Sequence, residues 1–373
     1  MADKQLKKKP RQSNFELLRI VSMFMIVLYH VIYHGVFESS NINDQVYLHP
    51  FINHLPIYQI MMFGGKVGVA LFVLITCYFM NGRNPKITSL LKLWFPVFFW
   101  SAGIMMLAKY GFIPGQQVVD EGMYHALTPI LSRQYWFIND YFFLILFIPM
   151  LNQVTGVVRR NTTIILAIFV VILPTFFNIQ LLGVDLWLFI LLFFIAGYIK
   201  EFKERGVLRK YLKQIDWMAL ILLLIYICSV LFNDYAGQHT KNINTVKSAV
   251  NLSDQTSILV VLFAALVFCM FAEWNLGVYK WINSAATLMF GVYLIHDNNF
   301  LRDFIWQNLT NVGKVIKMPY WNGSLYVLMT AIMVFIICGC LELVRRIIFS
   351  GLENLLIIKI QAAGKNLQQR FAK

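Results

Sequence analysis

Two polar side chains interrupt the first apolar stretch of the chain, NFELLRIVSMFMIVLYHVIYH: Arg19 and His30. They are eleven positions apart, close to three turns of α-helix, so both lie on one helix face, about 16 Å apart along the axis. A guanidinium or an imidazole facing lipid is costly, so this face points into protein or a wet cavity. An imidazole can take a proton from a hydroxyl, and a guanidinium can hold a phosphate or another anion. Each residue also has a structural reading. His30 could be bonded across helices to a carbonyl, and Arg19 could pair with Glu16 one turn earlier and reach for the membrane interface.

The elements that must position them follow from composition. Of 373 residues, 59% are hydrophobic and 13% charged, against roughly 25% charged in a soluble domain. Apolar runs of about 20 residues recur along the chain. Ten can be counted, at approximately 15–34, 60–80, 89–108, 136–153, 163–179, 182–199, 217–233, 256–273, 285–306 and 323–345. The expected fold is all-α: a polytopic transmembrane bundle of about ten helices. It divides into a basic N-terminal segment (1–14), a transmembrane domain (15–345) and a tail (346–373), in which Leu355, Leu356, Ile357, Ile358 and Ile360 among charges suggest an amphipathic helix on the membrane surface.

Lys and Arg gather at the N-terminus, in the Arg83/Lys86/Lys92 and Arg159-Arg160 loops, in 200–213 and in the tail. This alternation puts both termini in the cytoplasm. The net charge of +14 is thus a topology signal. With no soluble domain to carry a basic patch, nucleic acid is excluded as a partner. Lys7, Lys8, Lys9 and Arg11 before an apolar run look like a signal peptide, but the long run and the spans that follow favour a retained first helix. The five cysteines lie in apolar runs without metal-ligand spacing and read as packing residues. No metal motif, phosphate-binding loop or dinucleotide fingerprint is present, so neither a metal nor a resident cofactor is expected.

The topology assigns depths. The first and ninth segments run outward, which carries His30, and His296, Asp297 and Arg302 of YLIHDNNFLR, toward the outer surface. Lys66 of GGKVGVALF and Trp136 and Asp140 of YWFIND start the second and fourth segments from that same surface. Chain-distant segments so bring acid, base and hydrogen-bonding groups to one level, as a catalytic pocket requires. Lys66, Asp297 and Arg302 can also be read as interfacial anchors, and Trp136 as part of an aromatic belt.

These stretches resemble the acyltransferase 3 family of integral membrane O-acyltransferases, particularly the branch acting on bacterial cell-surface polysaccharides. The matching segments are NFELLRIVSMFMIVLYH, GKVGVALFVLITCYFM, LLKLWFPVFFWS, YWFINDYFFLILFIPMLN and FGVYLIHDNNFLRDFIW, in the family's order. Thr76-Cys77 replaces the usual Ser-Gly, and Arg83-x-x-Lys86 stands where others have Arg-x-x-Arg. The resemblance implies a bacterial plasma-membrane enzyme that moves an acyl group, most simply acetyl, from cytosolic acyl-CoA to a hydroxyl of a polysaccharide or lipid-linked sugar. His30 would be the base. Arg19, Arg83 and Lys86 would bind the donor, whose arm would rise past Arg19. Lys66, Trp136, Asp140, His296, Asp297 and Arg302 would form the acceptor side. The alternatives are a transporter or flippase for a sugar, lipid or drug, and an assembly scaffold. The acceptor sugar, the acyl chain, an acyl-enzyme on His30 and the oligomeric state, homo-oligomers included, stay open at this point.

Overall fold

The computed structural model of the protein describes residues 11–114, 118–177 and 182–371. Each of the ten apolar segments forms helix among the described residues, the ninth only in part. In chain order the principal helices are α1 (Ser13–Ile32), α2 (Leu55–Met80), α3 (Ile87–Lys109), α4 (Trp136–Leu151), α5 (Gly156–Ala167), α6 (Val184–Glu204), α7 (Leu212–Thr240), α8 (Ile258–Glu273), α9 (Met289–His296) and α10 (Tyr320–Phe371). A wider turn at Ile168–Ile172 and a last turn at Leu173–Phe177 carry α5 onward. Among the described residues, seven helices are long and apolar enough to cross a membrane, and α4 is a shorter apolar one. The expected all-helical membrane bundle is what the chain forms. Its outer surface is apolar: Leu220, Ile221, Leu224, Ile225 and Phe232 of α7 are exposed. In water that face would be untenable, whereas in lipid it costs nothing.

The first two helices make the tightest pairing, and glycine permits it. A Cβ on Gly68 would stand 2.6 Å from the Ser22 carbonyl oxygen, and one on Gly65 would overlap the Tyr29 side chain. Without those Cβ atoms the backbones approach closely, the usual way for helices to associate where lipid supplies no hydrophobic drive. This contact sets Lys66 against α1.

Two sequence expectations need correction. The ninth segment is not one span. It comprises Lys280–Ala286, a turn, and α9, and the helix stops at Asp297. Asn298 causes the stop: its side-chain oxygen accepts from the Phe300 amide (3.0 Å) and its amide nitrogen donates to Tyr135 Oη (2.7 Å), in place of a continuing helix. Wider turns resume at Phe304–Leu309. The tail, expected as a separate surface helix, instead continues α10 without interruption to Phe371.

The start of α1 is fixed to the start of the ninth segment. Ser13 Oγ accepts from the Tyr279 amide (2.7 Å) and donates to Asn283 Oδ1 (3.0 Å). From this junction His30 lies seventeen residues along α1, and His296 seventeen residues beyond Tyr279. The climb along α1 is about 26 Å of helix. The second stretch, helical on either side of the turn at Thr287–Leu288, brings its histidine to the same height.

Candidate active site

At that height His30 Nδ1 lies 2.9 Å from His296 Nε2, and His296 Nδ1 lies 2.6 Å from the Val292 carbonyl oxygen. A carbonyl only accepts, so His296 Nδ1 carries the hydrogen. In a neutral imidazole Nε2 then offers its lone pair, and His30 Nδ1 must be the donor. This leaves His30 Nε2 unprotonated, the basic nitrogen of a residue that lines a narrow hollow. The tautomer follows from the hydrogen-bond chain alone.

The hollow has a volume of about 40 Å³, well under the 300–1,000 Å³ typical of small-molecule sites. It suits a linear chain better than a sugar ring. Tyr29, His30, Lys66, Trp136 and Tyr293 are its polar-bearing walls, and Met23, Ile26, Val69, Phe72, Phe137 and Phe290 its apolar ones. Lys66 Nζ sits between two rings, 5.2 Å from the centroid of Tyr29 and 5.4 Å from that of Trp136. These faces favour the cation without hydrogen-bonding its protons, which stay available. The Tyr293 hydroxyl has no hydrogen-bond partner among the described residues.

Behind His30 lies Asp297, 8% exposed. One of its oxygens is 3.9 Å from His30 Nδ1, 3.9 Å from His34 Nε2 and 4.0 Å from Arg302 Nη1. His34 Nδ1 pairs with Glu38 (2.6 Å). His30, His34 and Asp297 offer ligand atoms all within 4.8 Å of one another, close enough for three-point binding of a cation. His30 Nδ1 would have to leave His296 to serve such an ion through that atom.

Of the residues singled out in the sequence, His30, Lys66 and Trp136 line the hollow, and His296, Asp297 and Arg302 back it. Asp140 stands apart, accepting from Arg133 Nη2 (3.2 Å) in a network that extends through Asp185 to Gln255. Arg19 does not line the hollow. It pairs with Glu16 (3.3 Å), the structural alternative considered for it, and its guanidinium stacks over Phe72 at 5.7 Å from the centroid, on the hollow's floor. Arg83 and Lys86 lie exposed in the connection between α2 and α3 and touch no part of it. His34, Tyr29, Tyr293 and Phe290 were not singled out. His34 had a readable signal, since it follows His30 by four residues on the same helical face. Tyr293 likewise precedes His296 by one turn.

Compared with protein families, this chain matches the family model for the acyltransferase 3 group, described as an acyltransferase domain, over residues 12–343. Searches of the curated proteins and of the solved structures return no match. The chain belongs to the acyltransferase 3 family and is a multi-pass membrane acyltransferase, which favours the enzyme over the transporter and scaffold readings.

Proposed function

We propose, from the premise of this family membership, that the protein is an O-acetyltransferase of the bacterial plasma membrane. It takes acetyl groups from acyl-CoA on the side of its N-terminus and delivers them to a hydroxyl of a cell-surface or lipid-linked polysaccharide. The observation that carries this reading is the hydrogen-bond chain Val292–His296–His30, which leaves a basic nitrogen on a residue that borders a narrow, largely apolar hollow. Such a nitrogen is what a hydroxyl, a poor nucleophile, requires.

In the reaction the thioester lies in the hollow and the acceptor hydroxyl approaches His30 Nε2. The oxygen attacks the carbonyl carbon as its proton passes to Nε2, and the carbonyl oxygen becomes an oxyanion. Lys66 and Tyr293 line the same hollow, and their ammonium and hydroxyl are the donors we assign to that charge. Collapse forms the ester, breaks the carbon–sulfur bond and expels the thiolate, which takes the proton from Nε2. The imidazolium formed in between is supported through Nδ1 by His296 and by the nearby Asp297 carboxylate. Arg19 acts through Phe72, holding the floor of the hollow.

The test is direct. A strain carrying His30→Ala should lose O-acetyl groups from its surface glycan, read by mass spectrometry, while the protein still inserts. Unchanged acetylation at normal protein levels would remove the proposal.

A further inference from the structure

The bundle holds a second and larger cavity, of about 1030 Å³, at the end where α1 begins. It lies between the start of α3, the segment 280–288 and α10, and the part of α10 beyond residue 346 forms one of its walls. Five cations line it, Arg11, Lys92, Lys280, Arg345 and Arg346, against two carboxylates, Glu342 and Glu353.

The five are not equivalent. Arg345 is committed to Glu342 through Nε (2.8 Å) and Nη2 (2.9 Å), and to Glu353 through Nη1. Glu342 also accepts from Trp100 Nε1 (2.8 Å) and pairs with Arg346 Nε (3.2 Å). This buried frame fixes the α10 wall. Arg11 is 3.6 Å from Glu16. Lys92 and Lys280 have no carboxylate within 4.0 Å among the described residues, and both are exposed to the cavity's mouth. The surplus positive charge is therefore carried by two flexible ammoniums facing a rigid wall, which is a setting for a multiply charged anion rather than for a single carboxylate.

One side chain relates this cavity to the catalytic hollow: Phe290 lines both. Along the ninth segment, Lys280 and Tyr293 are separated by a one-turn break between two helices, a span of about 20 Å at most. A molecule with an anionic head and a long thin arm, the head among the lysines and the arm beside Phe290, would present its end to His30.

We propose that this basin binds the phosphorylated nucleotide end of the acyl donor, and that the acyl arm enters past Phe290 rather than past Arg19. The inference rests on acyl-CoA being the donor and deepens that reading. An anionic lipid headgroup shares the phosphate chemistry and is the rival occupant.

Coenzyme A binding to the purified full-length protein, in nanodiscs of zwitterionic phosphatidylcholine, tests the site without any acceptor. Coenzyme A should bind more tightly than its 3′-dephospho form, and both more tightly than pantetheine. The double variant Lys92→Glu/Lys280→Glu should weaken coenzyme A about tenfold or more and leave pantetheine unchanged. Lys109→Glu, at the opposite end of α3 from the basin, should bind as the parent does, and thermal melting shows that each variant is folded. Wild-type affinity in the double variant overturns the site. So does a loss of affinity for phosphatidylglycerol in the double variant without a loss for coenzyme A, which assigns the basin to lipid. Normal coenzyme A binding by a protein whose glycan proves unacetylated sustains this inference and removes the proposed acceptor instead.

Discussion

The His30–His296 contact makes a quantitative demand. Replacing His296 by Ala removes the acceptor that holds the hydrogen on His30 Nδ1 (2.9 Å), while His30 itself remains. A hydrogen bond to a group that becomes charged contributes about 1.5–3 kcal/mol, and each 1.36 kcal/mol of barrier is tenfold in rate. Loss of the bond should therefore lower kcat about 10- to 150-fold, reaching only the low end of the about 10²–10⁴ expected when the base itself is removed. The KM for the acyl donor should hardly move, because His296 is fully buried behind His30 and does not line the hollow. His296→Gln keeps an acceptor oxygen near the Nε2 position and should recover part of the rate. The assay is release of free thiol from the acyl thioester in the presence of acceptor glycan, with protein amount and melting temperature measured alongside. A His296→Ala protein that is folded and within about twofold of the parent rate would refute the argument that this pair sets the state of the base.

Three further outcomes are expected. Gly65→Ala places a methyl group into the Tyr29 side chain, and should lower stability by about 1–3 kcal/mol as an overpacking change, seen as a lower melting temperature in detergent. Glu342→Ala leaves the Arg345 charge buried (4% exposed) and short of its main partner, a change of about 3–5 kcal/mol, with Glu342→Gln milder; expression level and melting temperature report it. Treatment with a chelator should leave thiol release intact, since His30 Nδ1 is bonded to His296; activity lost on chelation and restored by a divalent cation would instead assign His30, His34 and Asp297 to a metal.

The parts of the fold that could be read from the sequence are those governed by bilayer thickness. Runs of about 20 apolar residues have no alternative to helix in lipid, and nine of the ten do form helix, the ninth run only in part. The break after His296 was hidden because the residues beyond it, Phe300, Leu301 and Phe304, are as apolar as a helix interior, while the Asn298 side-chain bonds that end the helix depend on Tyr135 in another segment. The continuation of α10 was hidden for the opposite reason: charges mark where a helix leaves lipid, not where it ends. Within the site, depth bookkeeping brought His30, Lys66, Trp136 and His296 to one level, but depth says nothing of azimuth. Arg19 shares a helix face with His30, yet its long side chain turns to Glu16 and Phe72. The basic basin could not be read at all, because Arg11, Lys92, Lys280 and Arg345-Arg346 come from four distant stretches, each indistinguishable from an ordinary orientation signal.

The shared anchor of Ser13 and Tyr279 has a consequence for how this chain tolerates change. Inserting one residue within α1 between Ser13 and His30, or within α9 before His296, turns the distal imidazole by about 100° and shifts it about 1.5 Å. Neither movement is corrected by the partner segment, which stays tied at its base. Length is therefore locked in these two stretches, and single-residue insertions there should be as damaging as loss of the histidines.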